Sequence, residues 1–286
     1  MAAQRNALLV VNPSRSEAVG AAKELRLILR ENNFEIFTTS DISIDSVAKV
    51  SSEDLPNVEV AVVLGGDGTL LRGAELSLTR NIPLLGINLG HVGFMSEVEK
   101  PSIQAIADSI INKSYVSEDR MVLSYSVERN GTVVNAGWAL NEITVERTTS
   151  AMVELFLEID NRPLSRWGCD GLICATPTGS TAYAFSAGGP IIWPAVDAFV
   201  LLPISAHALF SRPMVVSTKS EIVVTVESPV ATLSADALRE FELCAGDRVV
   251  ITRNNHSINL AHVNKTLFTD RLVAKFKLPV EGWRGE

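Results

Sequence analysis

Three segments of the 286-residue chain combine residue types that do chemistry. The first is Gly65-Gly66-Asp67-Gly68-Thr69, which closes an apolar run and leads into Leu70-Leu71-Arg72-Gly73. Glycines packed this densely between a strand and a helix let the backbone turn and approach a ligand closely. Free N–H groups at the start of the following helix suit phosphate. Asp67 is the only ionisable side chain between those glycines. Its carboxylate repels phosphate unless it accepts a hydroxyl proton or holds a magnesium ion. The competing reading is a tight turn in which Asp67 caps the helix.

The second segment spans residues 170–190, with Thr176-Pro177-Thr178-Gly179-Ser180-Thr181-Ala182-Tyr183-Ala184-Phe185-Ser186 at its centre. The hydroxyls of Thr176, Thr178, Ser180 and Thr181 suit ribose and adenine edges, and Tyr183 offers a stacking face and a hydroxyl. A helix capped by Ser180 or Thr178 is the plainer alternative. The third segment is the pair Asn141-Glu142, at the start of a strand. A ribose diol fits it, since the carboxylate accepts hydrogen bonds and the amide both donates and accepts. A purely structural pair remains open. Two familiar phosphate loops are missing. The spacing from Gly68 to Gly73 is that of a P-loop, but Ala74-Glu75 follow where Lys-Ser/Thr is required, and no G-x-G-x-x-G follows a strand.

The elements that must carry these segments fall into two parts. In the first, the apolar runs 7–11, 34–37, 58–64 and 84–87 read as strands. A helical pattern covers 16–30, with Ser16 at its start and Asn32-Asn33 at its end, and Ile103, Ile106, Ala107, Ile110 and Ile111 mark a helix face. Buried strands separated by helices predict a parallel sheet covered on both sides. From about residue 120, period-two alternation appears at 121–128, 132–134, 142–146, 153–159, 222–226 and 248–252. Turn signals lie between these runs at Arg129-Asn130-Gly131, Asp160-Asn161-Arg162-Pro163 and Ala245-Gly246-Asp247. That pattern predicts an antiparallel, mostly β domain, interrupted by one helix near 180–187. The expected boundary lies near Ser117, and residues 280–286 read as a tail.

Composition excludes several function classes. Hydrophobic residues make up 47% and charged residues 20%, which excludes long-range disorder. Lys and Arg number 25 against 33 Asp and Glu, a formal net charge of −8. Such a surface argues against general nucleic-acid binding. Mean hydropathy is +0.21, yet the apolar run around 191–204 is broken by Pro194, Asp197 and Pro203, so no membrane span is expected. Without a signal-peptide pattern the expectation is a cytoplasmic protein, in which Cys169, Cys174 and Cys244 are reduced structural thiols.

In their order along the chain, Gly-Gly-Asp-Gly-Thr, Asn-Glu and the 170–190 segment resemble the NAD kinase family. Gly86-Ile87-Asn88-Leu89-Gly90-His91-Val92-Gly93-Phe94 is similar to a loop of that family. The resemblance runs from about Asn6 to Phe276. It implies phosphoryl transfer from ATP or inorganic polyphosphate to the adenosine-ribose 2′-hydroxyl of NAD, with magnesium accompanying the donor and no dedicated metal cage. It implies Asp67 as the catalytic residue, and Gly65, Gly66, Gly68, Thr69 and Arg72 at the donor phosphates. On the NAD side it implies Asp67, Gly68, Asn141, Glu142, Asp170, Thr181, Ala182, Tyr183, Ala184, Phe185 and Ser186.

The same resemblance implies an N-terminal Rossmann-like parallel α/β domain over 1–117 and a β-sandwich-like NAD-binding and oligomerisation domain over 118–264. Residues 265–286 would return to the first. It also implies a homo-oligomer, dimer or tetramer, with Asp170 near a neighbouring subunit's ligand. The chain departs from the family at Gly168, where many relatives carry Arg or Lys and Arg166 is out of register. It departs again at Asp236-Ala237, where Asp-Gly is common. His91 sits in the glycine-rich loop, and His207, in an apolar stretch, reads as a core histidine.

Overall fold

The computed structural model describes residues 4–88, 93–95 and 101–280. In chain order it contains β1 (Arg5–Val11), α1 (Ser16–Glu31), β2 (Phe34–Thr38), β3 (Ala48–Lys49), β4 (Val60–Leu64), α2 (Asp67–Ser77), β5 (Leu84–Ile87), α3 (Ile103–Ile111) and β6 (Val116–Arg120). There follow β7 (Leu123–Arg129), β8 (Thr132–Ala139), β9 (Glu142–Glu146), β10 (Val153–Ile159), β11 (Arg162–Cys169), β12 (Gly171–Ala175) and α4 (Tyr183–Ser186). The chain ends with β13 (Ala198–Ile204), β14 (Met214–Ser217), β15 (Ile222–Val226), β16 (Val230–Ala235), β17 (Arg239–Cys244), β18 (Arg248–Arg253), β19 (Ile258–His262) and α5 (Phe268–Phe276). Two compact units result: Met1–Asp119 with Ile258–Glu286, and Arg120–Ser257.

The first unit is built on a seven-stranded sheet in the order β3-β2-β1-β4-β5-β19-β6. Strands β3, β2, β1, β4, β5 and β19 pair in parallel. Residues of β1 and β4 are buried on both faces, so these strands read as continuous apolar runs. On one face Leu25 and Leu29 of α1 and Ile106 and Ile110 of α3 pack on Leu9, Val62 and Leu85. On the other, α2 comes so close that a Cβ on Gly73 would stand 2.9 Å from Val63 Cγ2. The chain runs from β1 to β2 on one side and reaches β4 on the other. The strand order therefore reverses between β1 and β4, the position where open α/β sheets bind ligands at their carboxyl ends.

Three expectations change here. Arg15, not Ser16, is the N-cap of α1, and it makes no side-chain cap bond. The turn before the helix is instead held by Asn12, whose Oδ1 accepts the Ser14 N–H. Residues 258–264 read as part of the second domain, but β19 lies in the first sheet, pairing Leu260 with Leu84. A short buried strand looks the same in sequence whichever sheet it joins. Residues 281–286 of the expected tail, and His91, lie outside the described residues.

In the second unit, two six-stranded antiparallel sheets, β11-β10-β15-β18-β7-β8 and β14-β13-β12-β9-β16-β17, share one core. Leu155, Trp167, Val224 and Ile251 from one sheet meet Val145, Cys174, Phe199 and Leu233 from the other. The expected turns are present. Asn130-Gly131 joins β7 to β8 at φ 52 and 76, and Asp160-Asn161 joins β10 to β11 at φ 53 and 61, conformations that favour these residues. The helix expected at 180–187 is a 3-10 turn, Gly179–Thr181, followed by the single turn of α4. His207 is exposed rather than in the core, because Ser205, at φ 49, turns the chain outward after β13. The three cysteines are free thiols, and burial pushes Cys169 to about 11 and Cys174 to about 12. Among the described residues no helix is long and apolar enough to cross a membrane.

Candidate functional site

The glycine loop follows β4 and lies beside the end of β1, where the Asn12 N–H donates to the Leu64 carbonyl. Gly66 is the N-cap of α2 and Asp67 its first residue. None of the loop glycines has a positive φ. Their use is space. A Cβ on Gly65 would stand 2.3 Å from Thr69 Oγ1, whereas Gly66 and Gly68 face nothing within 4 Å. Thr69 is buried behind the loop and Arg72 is exposed one turn along α2.

The N-cap position is taken by Gly66 and Asp67 stands one residue inside the helix, so the reading of Asp67 as the cap fails. Its Oδ1 is buried and has no hydrogen-bond partner among the described residues. Burial raises its pKa, opposed by the backbone N–H groups of Phe94 and Met95 and by the positive charges of Lys275 and Arg271. Arg271 is itself buried: its Nη1 donates to the Phe94 carbonyl at 2.7 Å, and its Nη2 lies 3.0 Å from His262 Nε2. The return of the chain through β19 and α5 thus brings two cations to the glycine loop. Nothing in the local sequence pattern of α5 announces that role.

In the second unit Asn141, in the turn after β8, and Glu142, the first residue of β9, are each 7% exposed. Glu142 Oε2 is buried without a partner among the described residues. Burial, then the like charges of Asp236 and Glu146, push its pKa up to about 8, with the Tyr183 N–H acting the other way. Gly179 packs directly on this turn: a Cβ there would stand 2.1 Å from the Asn141 carbonyl oxygen.

The hydroxyl-rich segment behaves differently from expectation. Thr176 Oγ1 donates to the Leu140 carbonyl and accepts the Gly179 N–H. Ser180 Oγ donates to the Pro177 carbonyl and accepts the Ile192 N–H. Thr181 Oγ1 donates to the Thr178 carbonyl. These hydroxyls brace the backbone instead of standing free, and neither Thr178 nor Ser180 caps a helix through its side chain. Ala184 turns into a core with Ile173, Ile192 and Val200, while Tyr183, Phe185 and Ser186 are exposed. The Tyr183 hydroxyl donates to Glu146 Oε2 at 3.2 Å. Asp170 pairs with Arg147 Nε at 2.8 Å. Among the described residues no three His, Cys, Asp or Glu side chains form a metal cluster.

A glycine-loop α/β unit and a β-sandwich unit make up the chain, each with a buried carboxylate oxygen that has no partner among the described residues. Two solved structures share the fold. One is yeast NADH kinase complexed with NADH, at TM-score 0.86 and 22% identity over 99% of this chain and 90% of that one, a likeness of fold. The other is an NAD kinase from Archaeoglobus fulgidus in complex with ATP, at TM-score 0.75 and 28% identity over 96% of this chain and 99% of that one.

The chain belongs to the NAD kinase family of phosphotransferases. Residues 7–115 match the ATP-NAD kinase N-terminal domain and residues 140–263 the ATP-NAD kinase C-terminal domain. NAD kinase 2 of Streptomyces avermitilis is 48% identical over 245 residues, covering 85% of this chain and 81% of that protein.

Proposed function

We propose that the protein phosphorylates the adenosine-ribose 2′-hydroxyl of NAD, giving NADP, with ATP or inorganic polyphosphate as donor. The observation that carries this reading is the pair of buried carboxylate oxygens without partners among the described residues, Asp67 Oδ1 and Glu142 Oε2. Such atoms are costly to leave unsatisfied unless a ligand's hydroxyl completes them. Asn141 and Glu142 hold the ribose diol. Asp67 takes the 2′-hydroxyl proton. The freed oxygen forms its bond to the terminal phosphorus as the bond to the leaving phosphate breaks, and that phosphate departs with the electron pair. The open faces of Gly66 and Gly68 leave room for phosphate at the start of α2, with Arg72 nearby on the same helix. Tyr183 and Phe185, both exposed, provide the adenosine surface.

The donor set at the glycine loop, one carboxylate with a free oxygen, fits a magnesium ion carried in by phosphates rather than caged by protein. That ion, held by the phosphates and Asp67, would neutralise phosphate charge. The ATP complex of the archaeal relative supports ATP as donor. A panel of donors (ATP, polyphosphate) against acceptors (NAD, NADH), read as 2′-phosphorylated product, tests the reading. Absence of product with every pair would overturn it.

We also read the protein as a cytoplasmic homo-oligomer, dimer or tetramer, that binds neither nucleic acid nor membrane. Exposed Trp193, Val196 and Val215 on the second unit support the assembly. Light scattering giving a mass of 30.9 kDa would reject it. If oligomers form, subunits lacking Asp67 mixed with subunits lacking Asp170 should recover part of the activity that each loses alone. No recovery despite subunit exchange would keep Asp170 out of a neighbour's site.

A further inference from the structure

The turn that carries Asn141 and Glu142 has no hydrogen bonds of its own to define it, yet each of its backbone polar groups is paired. Asp236 Oδ2 accepts the Leu140 N–H at 2.7 Å, and Asp236 Oδ1 accepts the N–H groups of Asn141 at 2.7 Å and Glu142 at 3.3 Å. The Asp236 N–H donates to the Glu142 carbonyl at 3.0 Å. From the opposite side, the Thr176 hydroxyl donates to the Leu140 carbonyl at 2.6 Å and the Thr176 N–H to the Asn141 carbonyl at 2.8 Å. Two residues therefore satisfy all six backbone groups of residues 140–142. The side chains of Asn141 and Glu142 are not needed to hold their own turn. Asp236 is 4% exposed and sits in the turn from β16 to β17, with φ 55, followed by Ala237 at φ 53. Two consecutive left-handed residues without a glycine are an unfavourable way to build a hairpin. Here they aim one carboxylate at three N–H groups of another turn.

We propose that Asp236 is a positioning residue for acceptor recognition: it fixes the Asn141–Glu142 turn so that the two side chains meet a ribose diol already oriented. The proposal rests on the NAD kinase reading of that pair. Burial raises the pKa of Asp236, opposed by the three N–H groups and by Arg239, and a negative charge on Asp236 disfavours ionisation of the neighbouring Glu142. The charged and titratable groups around Glu142 are Asp236 from the β16–β17 turn, Glu146 from β9 and Tyr183 from α4. Removing the Asp236 charge should ease the ionisation of Glu142 as well as loosen the turn.

Asp236→Asn and Asp236→Gly test this, because Asn and Gly both tolerate the left-handed backbone. The full-length variants are assayed with NAD and ATP between pH 6 and 9, beside the unmodified protein. The expected result is a KM for NAD raised about 10–100-fold, the range for a lost charge-assisted contact network, with the KM for ATP within about two-fold. The acidic limb of kcat/KM for NAD should also move to lower pH, which a general loosening of the fold would not do. A folded variant with an unchanged KM for NAD overturns the proposal, as does an equal rise in both KM values. If neither variant folds, Asp236 serves the fold and not the site, and the proposal fails. If the unmodified protein does not phosphorylate NAD, it is the functional reading that falls.

Discussion

Asp67 and Glu142 are the same kind of group in opposite surroundings. Both are carboxylates with one buried oxygen left without a partner among the described residues, and both have raised pKa values. Around Asp67 the other charges are the cations Lys275 and Arg271, brought by the C-terminal helix. Around Glu142 they are the anions Asp236 and Glu146. Burial raises the Asp67 pKa and the two cations oppose that shift, favouring the ionised form that a proton acceptor needs. Burial first, and then the neighbouring anions, push Glu142 toward holding its proton. Charge surroundings thus differ in sign around two similar residues, as the proposed roles of Asp67 as base and Glu142 as hydrogen-bond acceptor require.

The largest effect should come from Asp67, the proposed base. Asp67→Asn should lower kcat about 10²–10⁴-fold with modest change in either KM. Near-normal kcat in the folded variant would remove the distinction drawn above. Glu142→Gln should act on the other quantity. Its KM for NAD should rise about 10–100-fold through loss of a charge-assisted bond of about 1.5–3 kcal/mol, with the KM for ATP little changed. Equal rises for both substrates would mean that the variant disturbs the site generally.

Much of this comparison was legible before the structure, and the reasons for the rest are physical. Gly65-Gly66-Asp67-Gly68 announced a tight strand-to-helix turn because glycine density is a local signal. The hairpins at Asn130-Gly131 and Asp160-Asn161 were legible because left-handed turns select those residues. Strands β12 and β13 were not, since they are buried on both faces and lack alternation. Hydroxyls at Thr176 and Ser180 looked like ligand groups because a sequence cannot show which carbonyl a hydroxyl has already found. Lys275, Arg271 and Asp236 act on residues about 95–210 positions away, beyond the reach of any periodicity argument. His207 was misread because its apolar neighbours suggested burial, while the turn at Ser205 depends on backbone geometry.

Glycines sharpen the contrast between the units. Gly66 faces open space and Gly179 faces backbone. Gly66→Ala should change unfolding stability by less than about 1 kcal/mol while raising the KM for ATP, because the new methyl enters the open space that the proposed function gives to phosphate. Gly179→Ala should destabilise the protein by ~1–3 kcal/mol, since its methyl meets the Asn141 carbonyl and the backbone must move. Urea midpoints and the two KM values measured on both variants separate the cases. A stable Gly179→Ala protein with normal NAD binding would show that the turn can yield.

The smallest effect is a slope. Glu142 has a folded-state pKa of about 8 against an ordinary value of 4.5. Below 4.5 both folded and unfolded chains hold the proton, and the group contributes no pH dependence. Between those values the unfolded chain releases its proton while the folded one retains it, so the unfolded state binds fewer protons and stability must fall as pH rises. The fall is at most about 1.4 kcal/mol per pH unit for one group and levels off above the folded value. Raised Asp67 and Asp236 act in the same direction. Asp247, whose pKa is lowered by its bond to Arg129, acts at the other end: its stabilisation is present above the ordinary carboxylate value and disappears only in acid. The window from about pH 5 to 8 therefore reports on the raised carboxylates and not on the surface ion pairs. Unfolding of the ligand-free protein in urea, followed through buried Trp167, should show a midpoint that drops across this window. Glu142→Gln should flatten most of that drop, and near pH 8 it should be more stable than the unmodified protein despite binding NAD worse. A variant gaining stability where it loses affinity would identify Glu142 as a group kept under strain for its ligand. An unchanged slope would place its proton affinity back in the ordinary range and leave the difference between the two carboxylates to geometry alone.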